Sequence, residues 1–314
     1  MRYRKTPNKV FTVREATTLL PFLMKTFDGI SRNKAKAILA DSVWVDRQVV
    51  TQFDHPLRPG QVVEVSATPR RATLRNRFVR LVYEDAHIVV IDKAPGILSM
   101  AAGRHSYCVK TVLDDYFQRR HQRCTAHVVH RLDRDTSGLM VYAKTMAAEQ
   151  TLEHNWHDIV ADRRYVALVS GQLQPPEGQV ESWLKDTKSY VTYSSPVDNG
   201  GKYACTRYRT LRQGALYSLV ELKLLTGRKN QIRVHMQSLG HPVCGDVKYG
   251  DGADPIHRLA LHAFRLHFYH PVTGELMKFE TPVPQAFTDA VKAKTVPTPA
   301  DTPFRPTDRG KEDR

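Results

Sequence analysis

The spacing of apolar residues changes several times along the chain, and each change marks an element. Between Val13 and Phe27, Ala16, Leu19, Leu20, Leu23 and Met24 recur at helical spacing. Pro21 lies inside this stretch, so the helix kinks there or begins at that residue. Ser31 is a good N-cap for a second helix, with Ala35, Ile38 and Leu39 on one face and Arg32, Lys34 and Lys36 on the other. Short strands are predicted at Val43–Val45 and Val62–Val65, with a ProGly turn signal at 59–60.

From Leu81 the pattern turns strand-rich. LeuValTyr and IleValValIleAspLys read as strands around a GluAspAlaHis turn. Helices are predicted at Val109–Arg119, Thr145–Asp158, Arg228–Leu239 and Gln285–Lys294. Extended segments are predicted at Tyr165–Ser170, Thr206–Leu211, Tyr217–Leu225 and Leu259–Tyr269. Many strands with few helices predict an α+β fold with a mixed, largely antiparallel sheet and peripheral helices. The expected organisation is a basic tail (1–10), a small head (11–66), a basic linker (67–80), a main domain (81–286) and a mostly disordered tail (287–314).

Charge adds a partner to this outline. The net charge is +15, and residues 1–80 hold 16 Lys and Arg against 6 Asp and Glu, hence +10 of it. Such a concentration is the footprint of a polyanion partner. Nucleic acid fits better than a membrane, because no lipidation motif and no Trp-rich basic helix accompanies it. No apolar run approaches the ~18 residues of a membrane span, and the N-terminus lacks the apolar core of a secretory signal. We expect a cytoplasmic monomer with reduced thiols, since the four cysteines form no CxxC pair. No metal site is expected: His154 and His157 with Glu153 lack a third ligand. No cofactor is expected either, because no GxGxxG or Walker pattern occurs.

The densest chemistry lies in HisArgLeuAspArgAspThrSerGlyLeu, residues 130–139, bracketed by the apolar runs Val128-Val129 and Leu139–Tyr142. Such a loop between strands is held rigidly and can present charge in a cleft. Asp133 has an arginine on each side, Arg131 and Arg134, which would keep it ionised. Thr136 and Ser137 are expected to bond the loop backbone and fix Asp133.

This stretch resembles the signature of RluA-type pseudouridine synthases: HisArgLeuAsp, two variable positions, ThrSerGly. ArgArgTyrValAlaLeuValSerGly (163–171) and ThrGlyArgLysAsnGlnIleArgValHis (226–235) resemble that family's next two motifs, and similarity continues through 240–250, 258–263 and 270–274. The resemblance implies a reaction that breaks the N1–C1′ bond of a uridine, turns the uracil and rejoins it through C5. It also implies that Asp133 is the nucleophile, that Arg233 forms an ion pair with it, and that Tyr165 lies beside it. Tyr165 serves there as a base at C2′ or packs under the ring. Arg131 would fill the space left by the flipped base. His130, Arg228 and Leu259 would line the substrate site. Asp135 falls on a variable position. One departure stands out: Lys229-Asn230 replace the family's usual Ser or Thr followed by His.

The head resembles the S4 RNA-binding module, through SerArgAsnLysAlaLysAlaIleLeu, ValTrpValAspArgGlnVal and ArgProGlyGlnValValGluVal. That implies phosphate contacts from Arg32, Lys34, Lys36 and Arg47. Together the resemblances favour ribosomal RNA as substrate, with tRNA as the alternative. A decayed, purely RNA-binding assembly factor is the reading from another class. It predicts loss of Asp133, Tyr165 or Arg233, and all three are present.

Overall fold

The computed structural model describes residues 9–28, 30–46, 48–50, 52–65, 74–101 and 107–293. The chain divides into two units: residues up to Arg75 together with Leu113–Thr125, and Asn76–Val112 together with everything from Ala126 on.

The first unit opens with β1 (Lys9–Thr12), β2 (Thr17–Thr18), α1 (Leu19–Thr26) and α2 (Arg32–Ser42). The short strands β3 (Val43–Val45), β4 (Gln48–Val49), β5 (Pro56–Leu57) and β6 (Val62–Val65) follow. An antiparallel sheet in the order β1-β6-β3-β4 carries Val43, Val45, Val63 and Val65 into a core with Leu19, Leu20 and Leu23. Ser31 caps α2 as expected, its Oγ accepting from Lys34 N at 3.2 Å. Ala35 and Leu39 of α2 are buried, and Arg32, Lys34 and Lys36 are exposed.

Two local expectations change here, and one cannot be followed. The helix expected from Val13 begins at Leu19, because Thr17-Thr18 pair with Pro56-Leu57 and Pro21 falls in the first turn, where its missing N–H costs nothing. Lys9 and Val10 belong to β1 rather than to a tail, because β6 offers a free edge for them. Arg47 lies outside the described residues.

The second unit is built on β7 (Val79–Glu84), β8 (Ile88–Lys93), β9 (His127–Val128), β10 (Ser137–Ala143), β11 (Val160–Ser170) and β12 (Glu177–Asp186). It continues with β13 (Thr192–Ser195), β14 (Lys202–Gln213), β15 (Tyr217–Leu224), β16 (Leu261–Tyr269) and β17 (Leu276–Glu280). These make one 11-stranded sheet, ordered β13-β12-β14-β15-β11-β16-β10-β8-β7, with β17 on β16 and β9 on β10. Only the β10–β16 junction is parallel, so the sheet is mixed and largely antiparallel, as expected. After α3 (Val109–Arg119) come α4 (Met146–His154), α5 (Trp156–Ile159), α6 (Gln231–Ser238) and α7 (Gln285–Val291). All seven residues of β10 are buried, which explains its unbroken apolar run. Leu139 and Val141 pack with Ala148 and Leu152 of α4 and with Leu266 and Phe268 of β16. Each such side chain contributes about 1.5–3 kcal/mol of burial.

Here too boundaries move. The helix expected over Thr145–Asp158 is capped by Thr145 but breaks at Asn155, whose φ of −112° and ψ of 24° leave the helical region. That expected from Arg228 starts at Gln231, after Asn230 in the left-handed region at φ 54°. Helix α7 crosses the expected 286/287 boundary with Phe287 and Val291 buried, because a phenylalanine there has a core to enter. Residues 66–73 of the linker region and 294–314 of the tail lie outside the described residues. Strands β12, β13 and β17 were not anticipated, since their half-exposed faces carry little apolar periodicity.

Candidate active site

The loop between β9 and β10 presents Asp133, and it is clamped through its backbone. Ser99 Oγ donates to Leu132 O at 2.8 Å and accepts from Leu132 N at 3.1 Å. The buried Lys93 ammonium donates to the carbonyls of Ala94, Ile97 and Arg134 at 3.0, 3.0 and 2.8 Å. Burial pushes the Lys93 pKa down to about 7, opposed by the charges of Asp135 and Asp133. Gly96 N also donates to Arg134 O, at 3.0 Å. The chain on both sides of Asp133 is therefore held from β8 and the loop after it.

The exit from this loop depends on one glycine. Gly138 has φ 119° and sits where β10 meets β16 in parallel, paired with Ala263. A Cβ built there would lie 2.2 Å from Ala263 O, closer than any side chain tolerates. The glycine of ThrSerGly thus lets two strands approach. Ser137 does not bond the loop backbone as expected. Its Oγ lies 2.9 Å from His262 Nδ1, and His262 Nε2 lies 2.9 Å from Thr281 Oγ1, tying β10 to β16 and the chain after β17. At Thr136 the bond to the loop is made by the backbone and not by the expected hydroxyl, its N–H donating to Asp133 O at 3.2 Å.

Arg233 reaches Asp133 from α6. Its NH1 donates to Asp133 Oδ2 at 3.2 Å. The rest of the guanidinium is held bidentately by Asp246: Nε to Oδ2 at 2.6 Å and NH2 to Oδ1 at 2.7 Å. The side chain of Asp246 is fully buried, and its Oδ1 also accepts from the N–H groups of Lys248 and Tyr249. Burial alone would lower the Arg233 pKa, but the bonds and charge of Asp246, then Asp133, raise it instead. Burial likewise opposes the charge on Asp246, and Arg233 overcomes it, so its pKa is lowered. A fork-shaped cation fixed on one carboxylate has little freedom left, and it points its remaining donor at the second.

Asn230 completes the clamp. Its Oδ1 accepts from Arg233 NH1 at 3.1 Å, and its Nδ2 donates to Tyr249 OH at 3.0 Å. The departure from the family's usual residue therefore supports the ion pair, and asparagine tolerates the left-handed backbone required there. Gln231 anchors the same turn: its Oε1 accepts from Thr226 Oγ1 and Arg228 N, and its Nε2 donates to Cys205 O and Thr206 Oγ1. Lys229 points elsewhere, to Asp186 at 2.8 Å.

Asp133 and Arg233 open onto a cavity of about 170 Å³, which Tyr165, Arg131, Arg228 and Leu261 also line. This is below the ~300 Å³ of typical ligand pockets. Tyr165 comes from β11 and is buried, which raises its phenol pKa; the Arg163 charge opposes this and the Asp133 charge adds to it. Arg131 is exposed at the rim. Arg228, exposed and also lining the cavity, donates from Nε to Tyr203 O at 2.9 Å.

Two expected members do not line this cavity. Leu259 is buried, and Leu261, two residues on and so on the same face of the extended chain, lines it instead. His130 lies in the wall of a neighbouring cavity, with Nε2 accepting from Val141 N at 3.0 Å. Burial and the Arg163 charge push its pKa down to about 3, so the ring is neutral. The expected support of Asp133 by Arg134 is also absent: Arg134 turns to Asp135, bonding it through Nε and NH2 at 3.0–3.2 Å. Asp246, Lys93, Asn230 and Arg163 are the site residues that sequence reasoning missed.

The arrangement joins an ion-paired carboxylate to a small cavity with a tyrosine wall and an arginine rim. A family profile described as RNA pseudouridylate synthase matches residues 87–238, which contain Arg131, Asp133, Tyr165, Arg228 and Arg233 but not Asp246 or Leu261. An uncharacterized RNA pseudouridine synthase of Bacillus subtilis, YjbO, is 38% identical over 215 residues, covering 68% of this chain and 76% of that protein. Ribosomal large subunit pseudouridine synthase D of Neisseria meningitidis is 33% identical, covering 77% of this chain and 71% of its own. The protein of that name in Vibrio cholerae is 34% identical, covering 82% and 85%. In structure, human RNA pseudouridylate synthase domain containing 1 superposes with a TM-score of 0.55 at 26% identity, covering 68% of this chain and 86% of that one. By profile, by identity and by fold, the chain belongs to the RNA pseudouridine synthase family, and it is an isomerase.

Proposed function

We propose that the chain isomerises uridines of large-subunit ribosomal RNA to pseudouridine, with Asp133 acting at the sugar. The observation that carries this reading is the ion-pair chain Asp246–Arg233–Asp133 at the cavity shared with Tyr165. A carboxylate held there attacks C1′, or stabilises positive charge on C1′ while C2′ loses a proton. In either case uracil leaves with the N1–C1′ electron pair, turns, and returns through C5, displacing the Asp133 carboxylate from C1′ on the first route, or adding to C1′ while C2′ regains its proton on the second. The C5 proton departs and N1 gains one, so substrate and product are isomers and no oxidant or reductant enters. Tyr165, kept protonated by burial, serves as a wall for the ring rather than as a base. Arg131, exposed beside the nucleophile, takes the place of the flipped base.

The ribosomal target rests on relatives named large-subunit synthases, and the RNA-binding role of an S4-like head rests on the exposed Arg32, Lys34 and Lys36 of α2. Incubating the protein with transcripts of large-subunit ribosomal RNA and of tRNA, then mapping carbodiimide-dependent reverse-transcription stops, tests both. Stops confined to ribosomal RNA are expected. Stops on tRNA alone would move the target, and none on either would remove the activity.

A further inference from the structure

A second cavity, of about 480 Å³, adjoins the first and shares Arg131, Arg163, Leu224, Gly227 and Arg228 with it. Its far wall is aromatic. Trp156 of α5 stacks on His130, with ring centroids 4.7 Å apart and planes 30° apart. The Arg163 guanidinium lies 5.9 Å from the Trp156 ring centroid.

The charges around this cavity are uneven. Asp162, an acid of its wall, is already taken up by Arg164, Arg265 and Lys223 at 2.9, 3.2 and 3.5 Å. Arg163, half-buried, has no hydrogen bond or ion pair among the described residues. Arg131 has none there either, and Arg228 bonds only to backbone and Gln231 through described atoms, never to a carboxylate. Several other arginines of the same unit sit on carboxylates, Arg80 on Asp92, Arg134 on Asp135, Arg209 on Glu221 and Arg265 on Glu280, whereas Arg258 bonds Ser137 and the Leu259 carbonyl and Arg207 bonds Gln179. A guanidinium withdrawn from water without an anion is costly unless an anion arrives. Of the three at the boundary between the smaller cavity and the larger aromatic one, Arg163 is half-buried in this way and Arg131 and Arg228 are exposed.

We infer that the Trp156 cavity is a second nucleotide subsite: it holds the base next to the target uridine in the RNA, with the linking phosphate on Arg163, Arg131 and Arg228. Planar guanidinium and indole groups are what single-stranded RNA uses for stacking and phosphate contact, and neither demands a particular base. The inference rests on the isomerase reading, since it takes the first cavity as the uridine site. It gives this chain a reason to hold the strand unpaired on one side of the flipped base. Selectivity for an open loop in the RNA follows.

The test uses the full-length protein and the trinucleotide UpUpU, with UMP as the mononucleotide control. UpUpU is expected to quench tryptophan emission. Trp156→Phe, which keeps a ring against His130, should lose that quench although Trp44 and Trp183 remain. Arg163→Gln should weaken UpUpU binding about tenfold, and the salt slope of log affinity should fall by about 0.7. Arg163→Lys should recover part of both, and Asp133→Asn should quench like wild type. UMP binding should be little changed in Trp156→Phe. Circular dichroism of each variant checks that it is folded.

Quenching that survives Trp156→Phe, or equal UpUpU affinity for wild type and Arg163→Gln, would overturn the subsite. If that occurs while wild type still forms pseudouridine, the isomerase reading stands alone. If wild type forms none on any RNA, the isomerase reading falls, and the subsite with it.

Discussion

At the scale of single residues, the site is a chain of charge in which one carboxylate, Asp246, holds the arginine that faces another, Asp133. Arg233 is oriented by Asp246, and only its third nitrogen faces Asp133. Asp246→Asn leaves a buried guanidinium with half its partner. It is expected to cost about 3 kcal/mol of stability and to lower kcat more than KM is raised, measured by urea unfolding and by single-turnover assays. A change in KM alone would mean that Asp246 acts on binding and not on the ion pair. For Tyr165, Tyr165→Phe should keep activity within about tenfold while Tyr165→Leu loses far more; the reverse order in a rate assay would restore the hydroxyl as a base. Asp133, Tyr165 and Arg233 were legible because contiguous motifs carry them. Asp246 was not, because a residue 13 positions after Arg233, inside a turn, announces a partner only once the turn is folded. Arg134 misled for a related reason: sequence adjacency to Asp133 says nothing of which carboxylate a long side chain chooses, and it chose Asp135.

Among elements, the parallel contact of β10 with β16 sets the site. It brings the loop carrying Asp133 beside the strand that supplies Leu261, and it exists because Gly138 has no Cβ to strike Ala263. Gly138→Ala is expected to lower the urea midpoint by the equivalent of about 3 kcal/mol or more, from overpacking together with the positive φ. A midpoint within error of wild type would show that the strands part easily. The apolar periodicity announced β8, β10, β11, β14, β15 and β16, whose buried faces leave a clear pattern. It did not announce β12, β13 or β17, which are half exposed. The pairing order was not legible at all, because alternation tells which face of a strand is buried but not which strand lies beside it. The missing helical turns before Leu19 and Gln231 trace to local competitors: a strand pairing in one case and a left-handed asparagine in the other.

For the molecule as a whole, charge and pH are the levers. Arg32, Lys34 and Lys36 stand on the exposed face of α2, in the part of the chain that holds +10 of the net charge. Changing all three to Gln should weaken binding to ribosomal RNA and reduce its salt slope by about 2–3; an unchanged slope would remove the head from the RNA interface. Stability has its own pH signature. Burial holds His130, His235 and His262 neutral, with pKa values pushed down to about 3, 4 and 4. The unfolded chain takes up protons at these sites below about pH 6.5, and the folded chain does not until lower. Their contribution is therefore full above about pH 6.5 and is lost as the pH falls toward 4, by about 6 kcal/mol in all at pH 5. Equal unfolding free energies at pH 7 and pH 5 would contradict it. The central claim, that the carboxylate of Asp133 makes and breaks the bond to the sugar, is tested most directly by single-turnover pseudouridine formation on ribosomal RNA with Asp133→Asn. That variant should bind RNA as wild type does and form no measurable product; product at the wild-type rate would contradict the account.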